Sequence, residues 1–391
     1  MLKVLVDATP IAPRPSGIGI YAINLIQALI SLQNKENFQL EIYYQPRLKQ
    51  WIVGNLSLPH IIPQNVPIHL LPLPVTLTNL LARIPNNLIT SYGEGYLQQP
   101  DLVHGTDHFV YPCRHSFKVM TIHDLSFIKY PAYASWIVRN TYYQRLKQCL
   151  QWTDLVLTVS ESSKRDIVEY LDVAPKRIYI TPQASRYSWG YLNQNLKEKL
   201  AKSSSYDFSQ PYLLFVSTIE PRKNILNLLQ AFNYLKSQAK IEHRLVLIGQ
   251  KGLEYKSIFA AIEASPWREY IHHLDYLSDE LVALFYSEAD LFVYPSYYEG
   301  FGLPVLEAMS LGAPVVAANT SSLPEVAGDA ALLVDPKDWQ ALADAIMKIL
   351  DDGSFRSQLI QKGKERSKLF SWERTARETL NAYQSLFNKK L

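Results

Sequence analysis

A chain of 391 residues that is 48% hydrophobic and 19% charged has core material for two domains, and its composition excludes the disordered, collagen-like and coiled-coil classes. No apolar run reaches the roughly 18–20 residues of a bilayer crossing, and even the leucine-rich stretch 68–84 is broken by His69, Pro72, Pro74, Asn79 and Arg83. The formal net charge is only +3, and without a dense Lys/Arg run a nucleic-acid partner is not expected.

That charge is unevenly divided: 20 cationic against 14 anionic side chains up to Gln210, then 19 against 22. A mildly basic first half suits an anionic acceptor or membrane face, and it is equally what a random scatter of solvated charges gives. Met1 to Asp7 lacks the longer apolar core and small-residue cleavage site of a signal peptide and reads as a first buried strand. Cys113 and Cys149 are too few for a disulfide framework or a four-cysteine zinc site and read as small buried residues.

Along the chain, short β-branched or leucine-rich runs alternate with longer amphipathic segments, the pattern of a parallel-sheet α/β fold. The first half predicts strands at 3–7, 39–44, 68–71, 102–104, 118–122, 155–159 and 177–181, with helices at 21–31, 132–151 and 162–171. Ser160 to Ser163 supply capping hydroxyls for the last of these. The polar stretch 185–210 reads as a linker. The pattern then restarts, with strands at 212–216, 244–248, 271–274, 291–294 and 314–317 and helices at 225–235, 255–264, 279–287 and 304–310. Two doubly wound units in tandem would turn their ligand loops toward a central cleft.

Four loops concentrate the chemistry. Gly17 and Gly19, in Pro15-Ser16-Gly17-Ile18-Gly19, permit close backbone approach before a helix whose free amides can hold a phosphate; no third glycine follows in dinucleotide-fingerprint register. Arg222 and Lys223, in Glu220-Pro221-Arg222-Lys223-Asn224, lie between a strand and a helix, where a guanidinium fork and a point charge suit a diphosphate. Glu299 and Glu307 flank Gly300-Phe301-Gly302-Leu303-Pro304, with Pro304 expected to open a helix; a carboxylate accepts hydrogen bonds from paired sugar hydroxyls. His123 ends a strand, in Thr121-Ile122-His123-Asp124-Leu125, and reads either as structural or as a cleft residue. His104 ends another and reads as structural. Trp136, Arg139, Tyr142, Tyr143, Arg145, Lys147 and Trp152 interleave cations and aromatics, which fits peripheral membrane contact or a core-facing stripe with solvated cations.

Taken together, these segments, with Val159-Ser160-Glu161-Ser162-Ser163-Lys164-Arg165-Asp166 and Phe370-Ser371-Trp372-Glu373-Arg374, resemble the retaining, nucleotide-sugar-dependent glycosyltransferases of family 4. The resemblance covers nearly the whole chain, and the Glu-x7-Glu block is its most specific part. It implies an α/β GT-B fold of two Rossmann-like domains: an acceptor domain over 1–184, a linker over 185–210, a nucleotide-sugar domain over 211–370, and a final helix over 371–391 crossing back to the first. It implies that Glu307 binds the ribose and Glu299 the donor sugar, with the main chain at Phe301, Gly302 and Leu303 near sugar and phosphate. Arg222 and Lys223 would neutralise the diphosphate, Gly17 and Gly19 would approach it, His123 would meet the sugar at its O6, and Tyr276 and Leu277 would meet the base. Many members carry a further arginine where this chain has Ser217-Thr218-Ile219, which leaves Arg222 more of the work.

The implied activity is hexose transfer from a GDP- or UDP-linked donor, GDP-mannose favoured, to a glycan or lipid-linked acceptor in polysaccharide biosynthesis. No Asp-x-Asp motif is present, so metal independence is expected, and no cofactor beyond the donor. The expected location is cytoplasmic, with peripheral contact at the inner membrane face. Two alternatives stay open: a non-catalytic nucleotide-sugar or glycan binder on the same fold, and another GT-B enzyme, a sugar phosphorylase or nucleotide-sugar epimerase. The segments 46–59 and 72–99 are expected to shape the acceptor site.

Overall fold

The computed structural model describes residues 1–13, 15, 17–54, 57–81, 95–133 and 136–388. Ser16 of the glycine segment, and positions 55–56 and 82–94 of the expected acceptor loops, lie outside the described residues. The chain forms two compact units, one of Met1–Lys129, Trp136–Gln183 and Ser371–Leu391, the other of Tyr130–Ser135 and Ala184–Phe370.

The first unit carries a seven-stranded, wholly parallel sheet of strands β1 (Leu2–Asp7), β2 (Phe38–Tyr44), β3 (Ile68–Leu70), β4 (Leu102–Gly105), β5 (Phe117–Thr121), β6 (Leu155–Thr158) and β7 (Ile178–Ile180), in the order β3-β2-β1-β4-β5-β6-β7. Its central strands are buried, as a sheet covered on both faces by crossover helices requires. Val4, Val6, Leu40 and Ile42 pack with Tyr21, Leu25 and Leu29 of the helix Gly17–Gln33 and with Leu380 and Tyr383 of the last helix, Trp372–Phe387. Ser371 caps that helix by accepting a hydrogen bond from the Arg374 amide at 3.1 Å. His104 is a core residue: its ring nitrogens bond Thr121 at 2.7 Å and Tyr383 at 2.6 Å, and burial lowers its pKa to about 3. Cys113 and Cys149 are both buried.

The second unit carries a six-stranded parallel sheet of β8 (Tyr212–Val216), β9 (Arg244–Ile248), β10 (Ile271–Leu274), β11 (Leu291–Tyr294), β12 (Val315–Ala318) and β13 (Leu332–Val334), ordered β10-β9-β8-β11-β12-β13. Several features depart from the sequence reading, among them the helices Trp339–Asp351 and Gly353–Ser367, which were not expected. The polar stretch 185–210 belongs to this unit and contains the helix Gln194–Ser203, whose cap is Asn193 accepting from the Leu196 amide at 2.9 Å. β13 went unforeseen because three residues are too short to show a period.

Chain winding reverses between β1 and β4 in one sheet and between β8 and β11 in the other, and the loops leaving those strands diverge there to leave room for a ligand. On the other side of β8, Gly249 follows β9 with φ 150°, and a Cβ there would lie 1.9 Å from the Ser217 carbonyl oxygen. We therefore expect Gly249→Ala to cost about 2–4 kcal/mol through overpacking and backbone strain. Thermal unfolding would show it as a Tm lowered by several degrees, and an unchanged Tm would refute the close approach.

Candidate active site

The loop after β8 holds Arg222 and Lys223, and the loop after β11 holds Glu299, so the sheet order brings together residues 76 positions apart. Lys223 is buried, and its ammonium donates to Glu299 Oε1 at 2.6 Å and to the Tyr294 hydroxyl at 3.1 Å. Burial, then the nearby Arg222 charge, holds the Lys223 pKa below the ordinary lysine value, against the pull of Glu299. Burial alone would raise the Glu299 pKa, but the Lys223 and Arg222 charges outweigh it and hold the carboxyl below its ordinary value. The pair is a fixed ammonium and a fixed carboxylate in a dry place, where each acts with little screening.

Arg222 is committed to shaping the loops. Its guanidinium donates to the Tyr298 carbonyl at 2.6 Å and to Glu220 at 2.7 Å, and lies 3.5 Å from Glu299 Oε2. Asn224, at φ 60°, ties three segments by donating to the carbonyls of Pro295 at 3.0 Å and Pro336 at 2.6 Å. The Ser322 hydroxyl donates to the carbonyls of Glu299 at 2.9 Å and Phe301 at 2.8 Å.

The helix after this loop is Leu303–Leu311, so Pro304 is its second residue rather than its first. Gly302 caps it at φ 106°, a conformation side chains avoid, and a Cβ there would meet Leu323 at 2.7 Å. The helix's first amides have no partner within it, which suits an anion. Glu307 sits further along the same helix and is buried. Its carboxylate accepts from Arg186 Nε at 2.8 Å and Nη2 at 3.4 Å, and from the Tyr286 hydroxyl at 3.4 Å. Tyr276 and Leu277 lie in the loop after β10, just before the helix Asp279–Glu288; Tyr276 is exposed. Arg186 is the residue that sequence reasoning missed here: it fell in the expected linker, and no local signal pairs it with Glu307.

In the first unit, Gly17 and Gly19 are not loop residues. They lie in the first turn of the helix Gly17–Gln33, and neither has a positive φ. His123 is buried beside Tyr21, ring centroids 4.7 Å apart. Its Nε2 donates to the Thr106 carbonyl at 2.9 Å, and its Nδ1 faces the Gln183 amide at 3.2 Å. Burial, then the His108 charge, lowers its pKa to about 4, which leaves it neutral near pH 7. Next to it is a second cluster the sequence did not disclose. His108 Nδ1 meets Asp107 at 2.7 Å and its Nε2 meets the Asp124 carbonyl at 3.0 Å. Burial opposes both charges, yet their mutual attraction prevails: Asp107 falls to about 2 and His108 rises. At the end of β1, burial lifts Asp7 to about 7.

Of the expected membrane stripe, Trp136 has no described side chain. Arg145 is buried 4.4 Å over the Tyr142 ring, and the Trp152 indole donates to the Val110 carbonyl at 3.1 Å, so these two face the protein. Among the described residues no helix is long and apolar enough to cross a membrane, and no group of three or more His, Cys, Asp or Glu side chains is placed to hold a metal ion.

Residues 15–184 match the model of Glycosyltransferase Family 4, and residues 197–366 that of Glycosyl transferases group 1. This chain belongs to glycosyltransferase family 4. It is 38% identical over 287 residues to O-antigen chain mannosyltransferase B of Escherichia coli, covering 73% of this chain and 75% of that one. It is 28% identical over 250 residues to the serotype-specific mannosyltransferase WbdA of E. coli, covering 63% of this chain but only 31% of that longer protein. Sucrose-phosphate synthase from Thermosynechococcus elongatus shares the fold, with a TM-score of 0.76 at 22% identity over 100% of both chains. The enzyme is thus a glycosyltransferase, and its two parallel-sheet units are those of the GT-B fold.

Glu299 binds fewer protons in the folded chain than in the unfolded one below the ordinary glutamate value of 4.5. Its stabilisation is therefore complete above that pH and is lost as pH falls through the lower, folded value. Glu299→Gln should cost about 3 kcal/mol at neutral pH, where it strands a buried ammonium. The Tm gap from wild type should narrow below pH 4.5. A gap constant from neutral to acidic pH would contradict the pair.

Proposed function

We propose that this glycosyltransferase moves mannose from GDP-mannose to a hydroxyl of a glycan or lipid-linked acceptor, with retention at the anomeric carbon and without a metal ion. The observation that carries the reading is the buried Lys223–Glu299 pair at the β8/β11 reversal, next to the helix start at Leu303. Charge grows on the departing diphosphate as the glycosidic bond breaks. Lys223, supported by Arg222, and the amides at Gly302 and Leu303 would stabilise that charge more in the transition state than in the ground state. These groups supply the positive field that a divalent ion supplies in metal-dependent transferases.

Glu299 would take the hydroxyls of the transferred sugar and Glu307 those of the ribose, with Phe301 shaping the loop and the Tyr276–Leu277 main chain at the base. In the first unit taken by itself, the amides at Gly17 and Gly19 would suit a phosphate and His123 a sugar hydroxyl. Mannose is favoured by the names of the E. coli relatives, O-antigen chain mannosyltransferase B at 38% identity and WbdA at 28%. Retention fits same-face transfer, with the leaving phosphate taking the acceptor proton.

The test uses purified enzyme, GDP-mannose beside UDP-glucose, and a panel of alkyl mannosides with and without EDTA. Transfer should favour GDP-mannose, give an α-linked product by NMR, and survive chelation. Lys223→Ala and Glu299→Ala should each lower kcat/KM about 100- to 1,000-fold. Undiminished transfer by both variants would overturn the site assignment. Sugar release that requires phosphate instead of an acceptor would show a phosphorylase.

A further inference from the structure

Arg186 is placed where neither a surface charge nor a chance contact belongs. Its side chain is 19% exposed and lies between two carboxylates, Glu307 at 2.8 Å and Asp279 at 2.7 Å. The two are unequal: Glu307 is only 4% exposed, Asp279 is 53% exposed. The guanidinium face lies 4.9 Å from the Tyr187 ring centre, and the Tyr187 hydroxyl donates to the Asp279 carbonyl at 3.0 Å. A fork held on three sides has one orientation, and it imposes that orientation on the buried carboxylate it grips.

Arg186 does not exhaust Glu307. A carboxylate offers about four lone-pair positions. Arg186 takes one on Oε1 at 2.8 Å, and on Oε2 it shares long contacts of 3.4 Å with Tyr286. Glu307 therefore keeps acceptor capacity for two vicinal hydroxyls. Asp279, which anchors the other end of Arg186, is three residues beyond Tyr276. The arginine thus links the loop assigned to the base with the carboxylate assigned to the ribose.

We infer that Arg186 is a positioning residue for nucleotide recognition, fixing the Glu307 carboxylate in the orientation that accepts the two ribose hydroxyls. This rests on the reading of Glu307 as the ribose ligand. It predicts that selectivity for ribose over deoxyribose depends on Arg186 although Arg186 itself touches only protein.

The experiment measures Kd by calorimetry for GDP and 2′,3′-dideoxy-GDP, with the uridine pair in parallel, on wild type, Glu307→Gln, Arg186→Gln, Arg186→Lys and Asp279→Asn, each checked by thermal unfolding. Wild type should prefer the ribonucleotide about 10- to 100-fold, the value of hydrogen bonds to a charged acceptor. Glu307→Gln should abolish most of that preference. Arg186→Gln should do the same while leaving dideoxynucleotide affinity nearly unchanged, and combining the two should lose no more. A merely structural defect would weaken both probes alike and leave their ratio intact.

Arg186→Lys keeps the charge without the fork and should retain only part of the preference. Asp279→Asn, at an exposed position, should reduce it more mildly. These two carry the test if Arg186→Gln does not fold, and wild-type ratios in both would then refute the inference. Lost preference in Glu307→Gln beside full preference in Arg186→Gln overturns the inference and leaves the ribose reading intact. Full preference in Glu307→Gln, or no binding of either ribonucleotide to wild type, overturns both.

Discussion

The second unit is organised around a lysine ammonium kept where water cannot reach it. An isolated buried charge costs several kcal/mol, so a chain that buries Lys223 must answer it with groups fixed in advance. Glu299 and Tyr294 do so, and they arrive by different routes. Tyr294 is the last residue of β11 itself, whereas Glu299 lies on the loop beyond it. The parallel order that seats β11 against β8 is therefore a condition for the charge pair. A substrate bringing a diphosphate and several hydroxyls offers each member of the pair a second partner of the right sign.

Everything around the pair reduces its freedom. Asn224 crosses to two carbonyls, Ser322 to two more, and Arg222 spends its fork on Tyr298 and Glu220. The neutral bonds among these contribute only about 0.5–1.5 kcal/mol net each, and those of the Arg222 guanidinium about 1.5–3. Their effect is to remove rotamers before a ligand arrives, so that the ordering entropy is not charged to binding. Gly302 belongs to the same logic: the turn into Leu303–Leu311 needs φ 106°, which L side chains rarely adopt.

What the sequence disclosed follows from the range over which each signal acts. Strand runs such as Tyr212–Val216 and Leu291–Tyr294 are local and apolar, and the charged or glycine-rich stretches that follow them mark strand tips. Lys223, Glu299 and Glu307 were visible for that reason and because their spacing resembles a known family. Arg186 was invisible because its partner is 121 residues away and its own neighbourhood is polar and aperiodic. The helix Gln194–Ser203 hid in the same polarity, and β13 was too short to announce itself. Asp107 and His108 are adjacent in sequence, yet their ionic pairing depends on shared burial. Glycine disfavours helices, yet Gly17 and Gly19 open one, because packing of the apolar face that follows overrides the propensity.

His123 shows how much a structure narrows a role that a motif leaves wide. A neutral imidazole has one proton and one lone pair to offer. Here the proton goes to the Thr106 carbonyl and the lone pair faces the Gln183 amide. With its pKa lowered to about 4, the ring cannot gain a second proton near neutrality. It therefore has no spare capacity as an acid or a base in this arrangement. A sugar hydroxyl can engage it only by displacing Gln183 and donating to Nδ1, an exchange of one neutral hydrogen bond for another with little net driving force. Under the proposed function, what His123 could offer a sugar would be discrimination rather than rate, since it would accept only from a hydroxyl placed to donate.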